Sequence, residues 1–219
     1  MSKKRLTLIH TSAIMIPIFS ELCSELLPNV EVVHIVDESL LKDIIRNKRL
    51  GKSTARRVVG HIISAEQAGA DFIVVTCSSI GPAAELGRQL VDVPVMRVDE
   101  PMAALAVKEA SHIGVVATLP STLNPTAELV KNQAEKQGKE ITVTTKLCEG
   151  AFEAVISADT ATHDKIVGAA IRELIQQVEV IVLAQASMAR VVDNLPAGDK
   201  KIPILSSPRL AVEHLTKLL

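Results

Sequence analysis

The chain has 219 residues, 47% of them hydrophobic and 22% charged, with a formal net charge of −1. This ordinary globular balance excludes a disordered chain and allows one large domain or two small ones sharing a buried seam. With three Phe, no Trp and no Tyr, and no basic cluster interleaved with aromatics, the stacking platforms of single-stranded nucleic-acid binders are missing, so no nucleic-acid partner is expected.

The chain opens on Lys3-Lys4-Arg5 and the apolar run Leu6-Thr7-Leu8-Ile9. His10, Thr11 and Ser12 interrupt that run and no small-residue cleavage site follows, so it reads as a first strand rather than a signal peptide. No stretch approaches the roughly 18 apolar residues of a spanning helix. No membrane partner and a cytoplasmic location are therefore expected. Further strands are predicted at Val30–Val36, Phe72–Thr76, Val93–Val98, Ile113–Thr118, Ile141–Leu147, Val180–Ala184 and Ile202–Leu205, after the first at Leu6–His10. Several are apolar at consecutive positions, as strands covered on both faces are. Helical patterns at Lys52–Ala68, Pro101–Glu109, Pro125–Gln137 and Ala161–Gln177 alternate with them. Such alternation predicts an α/β protein with parallel sheets and right-handed crossovers.

The chain then repeats itself. Asp71–Ile80 reads against Glu179–Met188 at a shift of 108 positions, which sets Cys77 against Gln185. Leu6–Thr11 meets Ile113–Thr118 at 107, and Val93-Pro94-Val95-Met96 meets Ile202-Pro203-Ile204-Leu205 at 109. Two similar parallel-sheet halves related by internal duplication are predicted, with the active site in the cleft between them. Residues 1–105 plus 206–219 form the first domain and residues 106–205 the second, the C-terminal helix at Pro208–Leu219 packing back onto the first half.

In parallel α/β sheets, ligands bind beyond the carboxyl ends of the strands. The residues collected there are His10, Thr11 and Ser12; Asp37 and Glu38; Cys77, Ser78 and Ser79; Thr118 to Thr122; Cys148, Glu149 and Gly150; and Gln185, Ala186 and Ser187. This set holds many small hydroxyls and no long cation, which suits a small carboxylate held by hydroxyls and helix-start amides. Cys77 follows a buried strand and precedes a helix start marked by Pro82, where the helix dipole favours a thiolate usable as base or nucleophile. Cys23 lies within an apolar helical pattern and reads as packing, as does Cys148 near a strand end. His10 is either an acid/base partner of Cys77 or a hydrogen-bonded structural residue. Glu38 and Glu149 read as helix N-terminal carboxylates. Gly51-Lys52-Ser53 evokes a phosphate-binding loop, but Arg46 stands where the first glycine would be and no strand precedes it. The three cysteines form no CxxC pair or metal-ligand spacing with His, so neither a disulfide framework nor a zinc site is expected. No metal and no organic cofactor is implied.

Val74-Val75-Thr76-Cys77-Ser78-Ser79, Ile113-Gly114-Val115-Val116-Ala117-Thr118 and the duplicated architecture resemble the aspartate/glutamate/hydantoin racemase superfamily, which includes maleate isomerases and arylmalonate decarboxylases. Asp37–Leu41 and Glu149–Ala154 are similar to an uncharacterised subgroup. The resemblance implies a cofactor-independent enzyme on a small carboxylate substrate, and a homodimer. In such racemases two cysteines, one from each half, flank the substrate α-carbon. Cys77 matches the first; Gln185 stands at the second, and an amide does not titrate near neutrality. The resemblance assigns substrate binding to Thr11, Ser78, Ser79, Thr118, Thr122, Gln185 and Ser187. Two functions stay open: isomerase, decarboxylase or hydrolase chemistry using Cys77, with His10 as the candidate second base, or a catalytically inactive small-acid binding or regulatory protein on the same fold.

Overall fold

A computed structural model describes residues 3–219. The chain divides into two compact units, one running to Val98 and completed by Pro208–Leu219, the other spanning Asp99–Ser207.

The first unit contains strands β1 (Arg5–His10), β2 (Glu31–Val36), β3 (Phe72–Val75) and β4 (Val95–Arg97). Its helices are α1 (Met15–Leu26), α2 (Glu38–Asn47), α3 (Lys52–Gln67) and α4 (Gly81–Gly87). The second unit contains α5 (Glu100–Glu109), β5 (His112–Ala117), α6 (Pro120–Lys136), β6 (Thr142–Leu147), α7 (Ala151–Ile156), α8 (Thr160–Leu174), β7 (Val180–Leu183), α9 (Ala189–Asn194) and β8 (Ile204–Ser206). Helix α10 (Ser207–Leu215) follows. Both sheets are four-stranded and wholly parallel, ordered β2-β1-β3-β4 and β6-β5-β7-β8. The same order twice is what the constant shift between sequence blocks leads one to expect. The repeat ends in an exchange: α5, which follows β4, packs on α6 and β7 of the second unit, while Ala211, Val212 and Leu215 of α10 join the core of the first.

The apolar runs mark the strands because each sheet is covered on both sides. In the first unit one face packs against α1 and α10 through Leu6, Leu8, Phe19, Phe72 and Val74. The other packs against α2, α3 and α4 through Ile9, Ile44, Val58, Ile62, Ile73 and Val75. Alternate residues of one strand thus feed opposite cores. In the second unit Ile181 and Leu183 meet Val167, Ile171 and Leu174 of α8.

One helix start differs from expectation. Helix α6 begins at Pro120, not Pro125, so Ser121 and Thr122 are helical and Pro125 lies inside the helix. Pro120 occupies the first turn, where a missing N–H costs nothing, and Pro125 forfeits one bond of the ladder. Leu123, Ala127, Leu129 and Val130 still bury the helix against its sheet, and that burial outweighs one lost bond.

Ile73, fully buried in the centre of the first sheet, gives a direct test of this core. Ile73→Ala should lower unfolding stability by roughly 2–5 kcal/mol, read by chemical denaturation; a loss well under 1 kcal/mol would contradict a close-packed site.

Candidate active site

Pairing between the central strands builds the site in each unit. β1 and β3 run in register from Leu6 opposite Phe72 to Ile9 opposite Val75. The Thr76 N–H continues the ladder to the Ile9 carbonyl at 3.0 Å. Thr11 and Cys77 therefore emerge side by side from adjacent strand ends. The second unit repeats this: Val116 lies opposite Leu183, and the Ala184 N–H donates to the Val116 carbonyl at 2.9 Å. Thr118 and Gln185 emerge as the equivalent pair.

Cys77 is half-buried and caps a single 3-10 turn, Ser78–Ile80, that leads into α4. Burial pushes its thiol above the ordinary value, against four hydrogen bonds that favour the thiolate: the Thr11 hydroxyl, the backbone N–H groups of Ser79 and Ile80, and the Ser79 hydroxyl. The expectation of a thiol lowered by a helix dipole is corrected here. The receiving helix is short, and the net direction is set by desolvation. What the fold supplies is a preorganised cradle of donors around a sulfur that is protonated at neutral pH. Thr11, Ser78 and Ser79 are all buried within this group.

The second unit carries no equivalent thiol. Gln185 Oε1 accepts from the Thr118 N–H at 2.6 Å, and Gln185 Nε2 donates to the Thr118 hydroxyl at 2.7 Å. A backbone N–H can only donate, so it fixes which end of the amide faces it. Gln185 is thus engaged at both ends, and Thr118 is buried under it. Thr122 is buried in the first turn of α6, whereas Ser187 is exposed on the 3-10 turn Ala186–Met188.

His10, a candidate acid/base partner in sequence, is not bonded to the sulfur. Its Nδ1 lies 2.7 Å from Thr76 Oγ1 and its Nε2 2.9 Å from His34 Nδ1. Burial, and secondarily the neighbouring His34, pull its pKa down to about 4. The ring is therefore neutral at physiological pH.

Two features were missed in sequence. The strand-end set was read as lacking a long cation, yet Arg97 ends β4 with its side chain buried and its Nη1 2.5 Å from Glu85 Oε1. Its guanidinium lies under the start of α4, where a Cβ on Gly81 would come within 2.5 Å of it. Glycine at position 81 is what lets the start of α4 lie against the cation. An arginine inside an otherwise apolar strand was the available signal, since arginine is rarely fully buried unless paired. The second feature is Asp37. Despite burial, which raises a carboxyl, bonds from Ser39, His61 and Arg57 hold it at about 2. Asp37 rather than Glu38 caps α2, accepting from the Ser39 N–H at 3.1 Å. Glu38 is the first residue of the helix and pairs with Lys42 at 3.4 Å.

Cys23 and Cys148 are buried, and burial pushes both thiols up to about 11. Among the described residues no group of three or more His, Cys, Asp or Glu could hold a metal ion, and no helix is long and apolar enough to cross a membrane.

Two parallel α/β units of the same strand order, each presenting a polar pair from its central strand ends, define a class of two-unit α/β proteins. The profile of the family described as Asp/Glu/Hydantoin racemase matches residues 8–215, and the chain belongs to that family. Solved structures with the same fold include glutamate racemase from Francisella tularensis in complex with D-glutamate, at a TM-score of 0.77 and 14% identity, covering 100% of this chain and 81% of that one. Allantoin racemase from Klebsiella pneumoniae aligns at 0.71 and 19% identity over 98% and 87% of the two chains. Picrophilus torridus aspartate racemase aligns at 0.72 and 14% over 98% and 94%. No curated protein matches the sequence.

Cys77 should be alkylated by iodoacetamide ahead of Cys23 and Cys148, because it alone of the three is partly accessible. Its raised pKa keeps it protonated to higher pH than a free thiol. The labelling rate should therefore still be climbing above pH 9.0, the ordinary thiol value. Mass spectrometry of the labelled peptides checks both points; preferential labelling of Cys23, or a rate that levels off near neutrality, would overturn them.

Proposed function

We propose that this protein is a cofactor-independent enzyme acting on a small carboxylate, with Cys77 as its single acid/base and Gln185 in place of a second cysteine. The observation that carries the reading is the four-donor cradle on the Cys77 sulfur. A buried cysteine kept only for packing needs no hydroxyl and amide donors aimed at its sulfur. Those donors stabilise the thiolate at the moment it forms, while desolvation makes that thiolate a stronger base than one in water.

The chemistry of such a site is one-sided. Two-base racemisation needs a titratable group on each face of the α-carbon, and Gln185, bonded at both ends to Thr118, supplies none. Cys77 can take an α-proton as thiolate, or as thiol give its proton to the carbanion left by loss of carbon dioxide. In the second case the S–H bond breaks, a C–H bond forms, and the thiolate recovers its proton from solvent. His10 enters this reading as a fixed neutral ring. Thr11 and Ser79 hold the sulfur; Ser78, Thr122 and Ser187 are the hydroxyls assigned to the substrate. A homodimer in the cytoplasm completes the proposal by family analogy.

A second reading, a small-acid binding protein without turnover, is favoured by the Gln185–Thr118 lock, which spends polar groups of the second unit on each other. Both readings are tested by incubating L- and D-aspartate and glutamate in deuterated water while following chirality and α-deuteration. The expected outcome is no racemisation of these amino acids; rapid racemisation would sink the one-base assignment. A screen of small mono- and dicarboxylic acids then separates enzyme from binder. Turnover reduced at least 100-fold by Cys77→Ala, in line with about 10²–10⁴-fold for a general acid–base, supports the enzyme. Thermal stabilisation by an acid that is never turned over supports the binder.

A further inference from the structure

The imidazoles of His10 and His34 form part of a hydrogen-bonded chain whose every proton position follows from one carbonyl. The Thr76 hydroxyl donates to the Ile9 carbonyl at 3.0 Å. A hydroxyl has one hydrogen, so toward His10 Nδ1, 2.7 Å away, Thr76 Oγ1 must accept. Neutral His10 with its hydrogen on Nδ1 then offers Nε2 as an acceptor, and His34 Nδ1 donates to it across 2.9 Å. His34 Nε2 is left to accept from the Ser20 hydroxyl at 3.2 Å. The chain runs from exposed Ser20 on α1, through half-buried His34 on β2, to fully buried His10 on β1 and Thr76 just beyond β3. Phe19 covers His10, its ring centroid 5.6 Å away.

This arrangement accepts one proton in one place. At His34 Nε2 the proton can be met by a turn of the Ser20 hydroxyl, with the other bonds kept. At His10 Nε2 it would set two N–H groups against each other. No carboxylate on the surrounding elements bonds either ring. On α1, Glu25 is bonded to Arg209, and on β2, Glu31 is bonded to Arg5. At the start of α2, Asp37 is held by Ser39, Arg57 and His61, and Glu38 by Lys42. Burial, and for His10 secondarily the neighbouring His34, makes both imidazoles harder to protonate than free histidine.

We propose that His10 and His34 are positioning residues that lock the ends of β1 and β3, and with them Thr11 and Cys77, and that the lock survives a proton entering at His34. The functional meaning of the lock rests on the Cys77 reading above. The lock itself is a property of the strand ends and is measured without any substrate.

Two measurements test it. Histidine 15N–1H correlation spectra at pH 8 should show both His10 and His34 as the Nδ1–H tautomer, the less common one in free histidine. Next, Cys77 alkylation is measured as pH is lowered from 8 to 5, each rate divided by that of a free thiol so that ordinary thiol ionisation cancels. The fold is monitored by circular dichroism throughout. The normalised rate should stay within twofold below pH 6.5, the ordinary histidine value, because the proton is met at His34 Nε2 with the strand-end bonds kept. His34→Asn places a non-titrating N–H donor at the Nδ1 position. It should keep the pH 8 rate within twofold, whereas His34→Ala, which removes the donor to His10, should change it at least threefold. An Nε2–H tautomer at either ring, a pH 8 rate left unchanged by His34→Ala, or a threefold step in the normalised rate between pH 8 and 5 would overturn the proposal. Full turnover in Cys77→Ala would instead sink the catalytic reading and leave these results standing.

Discussion

The constraint on which the site depends is the parallel pairing of the two central strands in each unit. In the first unit, β1 and β3 are held by main-chain bonds that continue to the Thr76 N–H on the Ile9 carbonyl. One peptide further, the ladder stops and the side chains of Thr11 and Cys77 are left adjacent. In the second unit the same ladder ends with the Ala184 N–H on the Val116 carbonyl, leaving Thr118 beside Gln185. Backbone bonds of this kind are indifferent to side chains, so one frame presents a thiol in one copy and an amide in the other.

The two copies use that frame in opposite ways. Around Cys77 the donors converge on the sulfur and leave it as the acceptor, in surroundings dry enough that burial still dominates its ionisation. Around Gln185 the polar groups satisfy one another, the amide closing a two-bond ring with Thr118. The two units are thereby chemically asymmetric at matching positions, Cys77-Ser78-Ser79 in one and Gln185-Ala186-Ser187 in the other. The amide does not titrate near neutrality, and it leaves no buried polar atom of that pair unmet, which is why the fold accommodates it.

Buried charge beside the site is handled by the same economy. Arg97 is tolerated because Glu85 pairs with it and because Gly81 lets the start of α4 lie against the guanidinium. Asp37 gathers Ser39, Arg57 and His61 at the end of β2. The His10–His34 pair, lacking any such counter-charge, stays neutral.

All eight strands were legible in the sequence; β3 and β7, central in their sheets, are apolar at consecutive positions because they are buried on both faces, and that requirement is local. Also legible was the placement of Cys77 and Gln185 just beyond equivalent strand ends of the two units. What remained hidden was set by residues distant in the chain. The ionisation of Cys77 depends on atoms that desolvate it and on Thr11, 66 positions earlier. The partners of His10 are Thr76 and His34, at separations of 66 and 24 residues. The start of α6 was misplaced because Pro125 looks locally like a helix boundary, while packing against the sheet carries the helix through it. Periodicity and residue type determine which elements form; only tertiary contact decides which polar groups meet, and therefore which of them are charged.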